Sequence, residues 1–161
     1  MAPRRYRIEV TTPAARLQSV GPLIPGAWSR RSDDLGREIR GEFLIDTGAY
    51  GAMIDLEIAE ALQLTLHGSR EIHGIHGYGR LQQYLGRVSL PAIDSEARCT
   101  VYSAVIECVV VPGLRDKNRE HGADVIGILG RMFLRNAFLA IDGITGRIEL
   151  KLDEATSSER L

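Results

Sequence analysis

The sequence predicts a mainly β, single-domain fold, and three observations carry that reading. Glycine is frequent, at 17 of 161 residues, and with Pro and Asp it cuts the chain into short apolar runs. Several of those runs alternate apolar with polar residues at the two-residue period of a half-buried strand. Only two segments carry helical signals, so one or two short helices are expected among many short strands.

Taken in order, Tyr6 to Val10 alternates and reads as a first strand. Gly21-Pro22-Leu23-Ile24-Pro25 is extended and proline-punctuated. Ser29 to Arg40 is polar, with a turn at Ser32-Asp33-Asp34-Leu35-Gly36, and reads as a surface excursion. Gly41 to Ile45 is a buried strand that delivers a polar turn at Asp46. Asp55 then caps an expected helix over Leu56 to Leu64, with Ile54, Ile58 and Leu62 on one face. Glu71 to Leu90 returns to strand character around Gly74, Gly77 and Gly79, a hairpin signature.

Ala97 to Val111 is the longest β-like run, and Leu114 to Asp124 is polar enough to read as a solvated loop. Val125 to Gly130 is apolar and opens a short helix expected to reach Asn136. Phe138 to Ile141 and Arg147 to Leu150 flank a hairpin turn at Asp142-Gly143-Ile144-Thr145-Gly146. The expected organisation is an N-terminal strand and extension (1–20), a main domain (21–153) and a tail (154–161).

The formal charge of −1 gives no reason to expect nucleic acid or an acidic membrane as partner. No run approaches the roughly 20 apolar residues of a membrane span. The basic N-terminus is followed by polar Ile8 to Pro13 instead of a signal-peptide core, so a cytoplasmic location is expected. Cys99 and Cys108 lie nine residues apart in one strand-like run, on opposite faces, and are read as two free buried thiols. His73 and His76 have a metal-like spacing, but on a glycine-rich hairpin with no third ligand, so neither a metal nor another cofactor is assigned. His67 and His121 have no recognisable ligand company.

The chemistry-bearing feature is Leu44-Ile45-Asp46-Thr47-Gly48-Ala49, a polar turn at the end of an apolar strand. A capped helix and the hairpin His73-Gly74-Ile75-His76-Gly77-Tyr78-Gly79 follow it. Farther on comes Ile128-Leu129-Gly130-Arg131, two apolar residues, a glycine and a helix start. In that order, over roughly Leu23 to Leu152, the chain resembles the retropepsin-like (retroviral-type) aspartic peptidases, particularly the bacterial single-domain members.

The resemblance implies a closed β-barrel of the acid-protease fold, built as a two-fold homodimer, and hydrolysis of a peptide or protein substrate without a cofactor. Asp46 would be the catalytic carboxylate. Two carboxylates about 3 Å apart cannot both ionise, so they share a proton and can act as base on water and acid on the substrate carbonyl. Thr47 would reach across the two-fold axis, Gly48 would leave room for backbone and substrate, and Ala49 stands where pepsin-like enzymes carry a hydroxyl. The lack of that donor predicts activity at mildly acidic to neutral pH.

His73, Gly74, Ile75, His76 and Gly77 would form a flap over substrate. Ile128, Leu129 and Gly130 would pack beneath the turn. Arg131 matches an arginine that pairs with an acid in viral relatives, but Tyr50 and Gly51 occupy the places where that acid would sit. Asp94-Ser95-Glu96 and Asp142-Gly143-Ile144 lack the glycine pattern of a second catalytic turn, so the second carboxylate must be Asp46 of another copy. A second reading keeps the fold and the dimer but makes the protein a binding or assembly module with weak or absent turnover.

Overall fold

A computed structural model describes residues 4–31, 36–74 and 77–154. The described residues form ten strands and four short helices. In chain order these are β1 (Arg5–Thr11), α1 (Ala14–Ser19), β2 (Leu23–Ser29), β3 (Glu38–Ile45), β4 (Ala52–Asp55), α2 (Leu56–Ala61) and β5 (Thr65–Gly74). Next come β6 (Gly77–Asp94), β7 (Cys99–Val111), α3 (Leu114–Arg119), β8 (Val125–Leu129), α4 (Arg131–Leu134), β9 (Ala137–Ile141) and β10 (Arg147–Asp153).

The mainly-β expectation holds, and the sheet closes. Strand neighbours run β2-β3-β8-β4-β7-β6, and β6 returns to β2 through Ala27↔Ser89, Trp28↔Val88 and Ser29↔Arg87, making a six-stranded barrel. β6 can serve several partners because it is 18 residues long. Its first half forms a hairpin with β5, its middle pairs β7 and β2, and its end meets β1. From there the sheet continues outward as β1-β10-β9, all antiparallel.

The core is the inward side of this barrel. Trp28, Phe43, Ile24, Ile54, Val88, Leu90, Ile126 and Leu129 are fully buried. Trp28 packs edge-on against Phe43 at 5.3 Å and donates its indole N–H to the Ile126 carbonyl at 3.1 Å, so its one polar atom is satisfied indoors. Fully burying a side chain of this size stabilises by about 1.5–3 kcal/mol. β10 supplies Ile148, Leu150 and Leu152 to the same core, while the alternate residues Arg147, Glu149 and Lys151 lie on its other face.

Several elements differ from expectation. The helix after Asp55 ends at Ala61, because Gln63 turns left-handed (φ 51°) and the chain re-enters a strand at Thr65. Ile54 belongs to β4 instead, held between β7 and β8, although it shares the core with Ile58 and Leu62. Leu114 to Asp124 is not a solvated loop: it contains α3, and Leu114 and Ala123 are buried beside Leu23 and Val125. α1 was not foreseen, β6 and not the Ala97–Val111 run is the longest strand, and α4 stops at Leu134, two residues short of Asn136. Cys108 is buried, which pushes its thiol up to about 12, but Cys99 is exposed; both are free. Most of the Ser32–Gly36 turn and the 155–161 part of the tail lie outside the described residues.

No helix among the described residues is long and apolar enough to cross a membrane.

Candidate active site

β3 carries Phe43 and Ile45 into the core and ends with Asp46 half-buried at its tip. Its neighbour is β8, parallel, with Leu44 opposite Ile128 and Ile45 opposite Leu129. The turn 46–51 then crosses over the end of β8, and the chain returns as β4 on the other side, where Met53 faces Ile128. β8 therefore lies between two strands that are consecutive in sequence, with the turn arching over its end.

That arch is held from below. The Asp46 N–H donates to the Leu129 carbonyl at 3.1 Å. The Arg131 and Met132 N–H groups, unsatisfied within the first turn of α4, donate to Ala49 and Tyr50 carbonyls at 2.9 Å each. The Arg131 guanidinium donates through Nη1 to the Thr47 and Gly48 carbonyls at 2.9 and 2.8 Å. Four successive carbonyls of the turn, Thr47 to Tyr50, are thus taken by two residues of one short helix. With Tyr50 and Gly51 in the places of the acid found in viral relatives, the Arg131 guanidinium binds main-chain oxygens.

Gly130 is what permits the approach. A Cβ there would lie 2.5 Å from the Gly51 carbonyl oxygen and 2.7 Å from that of Ala49. Gly48 is similarly confined, since its Cβ would stand 3.1 Å from Asp46 Oδ1. Leu129 is fully buried beneath the turn and Ile128 is half-buried. Ala49 is buried, and Thr47 and Gly48 are exposed.

Asp46 Oδ1 accepts from the Gly48 N–H at 2.8 Å and the Ala49 N–H at 3.3 Å, which fixes the carboxylate plane. Among the described residues Oδ2 accepts no hydrogen bond, so one carboxylate oxygen stays available to water, substrate or a second acid. Asp94 and Asp142 make superficially similar turns, accepting N–H groups of Glu96 and Arg98, and of Ile144 and Thr145. Asp94 also pairs with the Arg98 guanidinium at 2.9 Å, and both behave as ordinary turn acids.

The β5–β6 hairpin pairs His73 with Tyr78 and Gly74 with Gly77. Gly77 has φ 117°, a conformation that glycine adopts without steric cost. Ile75 and His76, the rest of the expected flap tip, lie outside the described residues. One arm of the hairpin touches the turn: the Arg70 guanidinium stacks over the half-exposed Tyr50 ring at 4.3 Å. Sequence reading missed that contact, since nothing local to either residue signals the other. His67 is tied to Glu107 at 3.1 Å, and among the described residues no group of three His, Cys, Asp or Glu could hold a metal ion.

Asp55, foreseen as a helix cap, does more. It is 2% exposed, accepts from the Glu57 N–H through Oδ1 at 2.9 Å, and accepts from the Arg115 N–H through Oδ2 at 2.9 Å. It thereby joins α2 to α3 at the far end of the strand that leaves the turn. A depression of about 330 Å³ lined by Arg30, Arg31, Leu64 and Thr65 contains none of the residues around Asp46.

No protein-family model matches the chain, and comparison with curated proteins likewise gives no match.

Proposed function

We propose that the protein is a homodimeric aspartic endopeptidase of the retropepsin type, in which Asp46 of two copies activates a water between them. The observation that carries this reading is the arrangement around Asp46. A carboxylate at the end of a core strand has one oxygen fixed by two backbone N–H groups and the other uncommitted. Its supporting turn is held at four carbonyls by the helix after Gly130. A turn that needed only an acceptor would not require such restraint, whereas a catalytic carboxylate gains from being fixed before substrate arrives.

A single copy supplies one such acid. Two-fold pairing would bring Asp46 to face Asp46, where close approach forces a shared proton. The ionised oxygen then acts as base on water, and the protonated one donates to the substrate carbonyl oxygen. Attack gives a gem-diol without a covalent enzyme intermediate. The β5–β6 hairpin is the element to close over an extended substrate, and its Arg70–Tyr50 contact couples it to the turn.

The test is incubation of the purified chain with denatured protein and a peptide library, beside Asp46→Asn, with fragments read by mass spectrometry. Cleavage at mildly acidic to neutral pH that the variant abolishes is the expected result. Cleavage untouched by Asp46→Asn, or a rate profile peaking below about pH 3, would defeat the mechanism. A folded dimer that cleaves nothing at any pH would favour the binding or assembly module.

A further inference from the structure

The two faces of the β5–β6 hairpin differ in chemistry. Arg70 pairs with Leu81 and Ile72 with Gly79, so Arg70, Ile72 and Leu81 share one face, and all three are half-buried. Glu71, His73 and Arg80 lie on the other face, exposed. The half-buried face is the one toward the Asp46 turn, because from it the Arg70 guanidinium reaches the Tyr50 ring. Among the described residues between Ser69 and Gln82, Arg70 is the one charged residue on that face.

We propose that Arg70 is a specificity-determining residue, receiving the carboxylate of an Asp or Glu side chain in an extended peptide held between the hairpin and the turn. This rests on the substrate cleft of the proposed function and adds the chemical class of peptide that the cleft selects.

The guanidinium is held in place yet chemically uncommitted. Its contact with the Tyr50 ring, at 4.3 Å, restrains the side chain without using any N–H in a hydrogen bond. Among the described residues those N–H groups meet no acceptor and no carboxylate pairs with them. A guanidinium in that condition matches a carboxylate with two parallel N–H donors. There is also room for one. A Cβ built at Gly51, one residue beyond Tyr50, would find only Arg70 Nη1 within 4 Å apart from its chain neighbours, at 3.9 Å. The other guanidinium at the turn, that of Arg131, is already taken up by the Thr47 and Gly48 carbonyls. Ile72 and Leu81, on the same face as Arg70, offer apolar surface to the rest of the peptide. In a two-fold dimer each copy brings its own Arg70, so the acidic preference falls on both sides of the bond that is cut.

Pools of short degenerate peptides, identical except for Glu, Gln or Lys at one fixed position taken in turn, test this. Binding is measured on the full chain carrying Asp46→Asn, which makes it independent of turnover, and cutting on the unmodified chain. At the positions that Arg70 reads, the Glu pool should be favoured over the Gln pool by about tenfold, as one charge-assisted contact gives. The preference should weaken as salt is raised. Arg70→Gln should remove it, and Arg70→Glu should turn it toward the Lys pool, a reversal that a merely structural role for Arg70 would not produce. Arg70→Lys keeps the charge and should retain part of the preference, which separates loss of recognition from a disturbed hairpin.

Equal affinity for the Glu and Gln pools, or no binding of either, overturns the assignment. So does a Glu preference that survives Arg70→Gln, or a folded Arg70→Glu protein that still favours Glu. Asp46-dependent cleavage with no acidic preference would remove this inference and leave the peptidase. Glu-pool binding that Arg70→Glu turns toward Lys, with no cleavage by the unmodified chain, would do the reverse.

Discussion

Replacing Gly130 with Ala adds one methyl group at the point where β8 ends and the Asp46 arch comes down on it. The backbone at Gly130 (φ −93°, ψ −168°) suits any residue, so the penalty is purely steric. The new Cβ would sit 2.5 Å from the Gly51 oxygen, 2.7 Å from the Ala49 oxygen and 3.0 Å from the Ala49 carbonyl carbon, all main chain. Ordinary contact is nearly 1 Å longer, so the arch must lift. Overpacking of this kind costs about 1–3 kcal/mol. Lifting also weakens the Arg131 N–H to Ala49 and Met132 N–H to Tyr50 hydrogen bonds, each worth about 0.5–1.5 kcal/mol net.

A combined loss of about 2–4 kcal/mol is expected, or about 4–16 °C in Tm for a domain of this size. Because the displaced atoms carry Asp46, peptide cleavage should fall further than stability does. Thermal unfolding by circular dichroism, with cleavage measured well below the variant's Tm, checks both parts. Gly143→Ala is the control: a Cβ there meets nothing within 4 Å, and its Tm should stay near wild type. A Gly130→Ala protein with unchanged Tm and unchanged cleavage would show that the arch does not depend on this approach.

Arg131→Ala removes the two guanidinium hydrogen bonds to Thr47 and Gly48 from an exposed position. It should lower kcat/KM by about tenfold, a loss of roughly 1.4 kcal/mol, with only a small change in Tm. Acid stability has a separate source. The Arg115 side chain hydrogen-bonds Asp124 at 2.6 and 2.9 Å and holds its carboxyl below the ordinary value. A depressed folded value means that the pair's contribution is present above about pH 4 and is lost as pH falls through the folded pKa. Denaturant midpoints followed from pH 6 to pH 2 should drop less steeply for Asp124→Asn than for wild type. Equal slopes would remove this pair from the acid response.

Much of the sheet was legible because alternation and turn chemistry are local. Tyr6–Val10, the hairpin after Glu71 and the Asp142–Gly146 turn all appear close to where their residues placed them. β4 was not legible. Four residues between a turn and a helix carry too little pattern, and Ile54 fits a helical stripe with Ile58 and Leu62 until β7 and β8, both distant in sequence, claim it. α1 buries no residue and has no side-chain cap, so neither amphipathicity nor a cap announced it. Cys99 shows a reading applied too weakly: opposite faces of a half-buried strand already imply that only one of two thiols is buried. At the site, Asp46 and Gly130 were marked by their motifs. The partners of Arg131 were not, because a guanidinium signals a carboxylate in sequence, while here it binds main-chain oxygens that no residue type encodes.

The threading of β8 between β3 and β4 bears on how the protein comes into being. β3 is complete at residue 45, but its parallel neighbour and the helix that grips the turn arrive only at residues 125–134. Until then the arch lacks the hydrogen bonds that hold it from below, from Leu129, Arg131 and Met132. Such distant pairings carry a heavy loop-closure entropy, so folding should be slow for a chain this short. The candidate site is thus among the last parts of the molecule to acquire its shape.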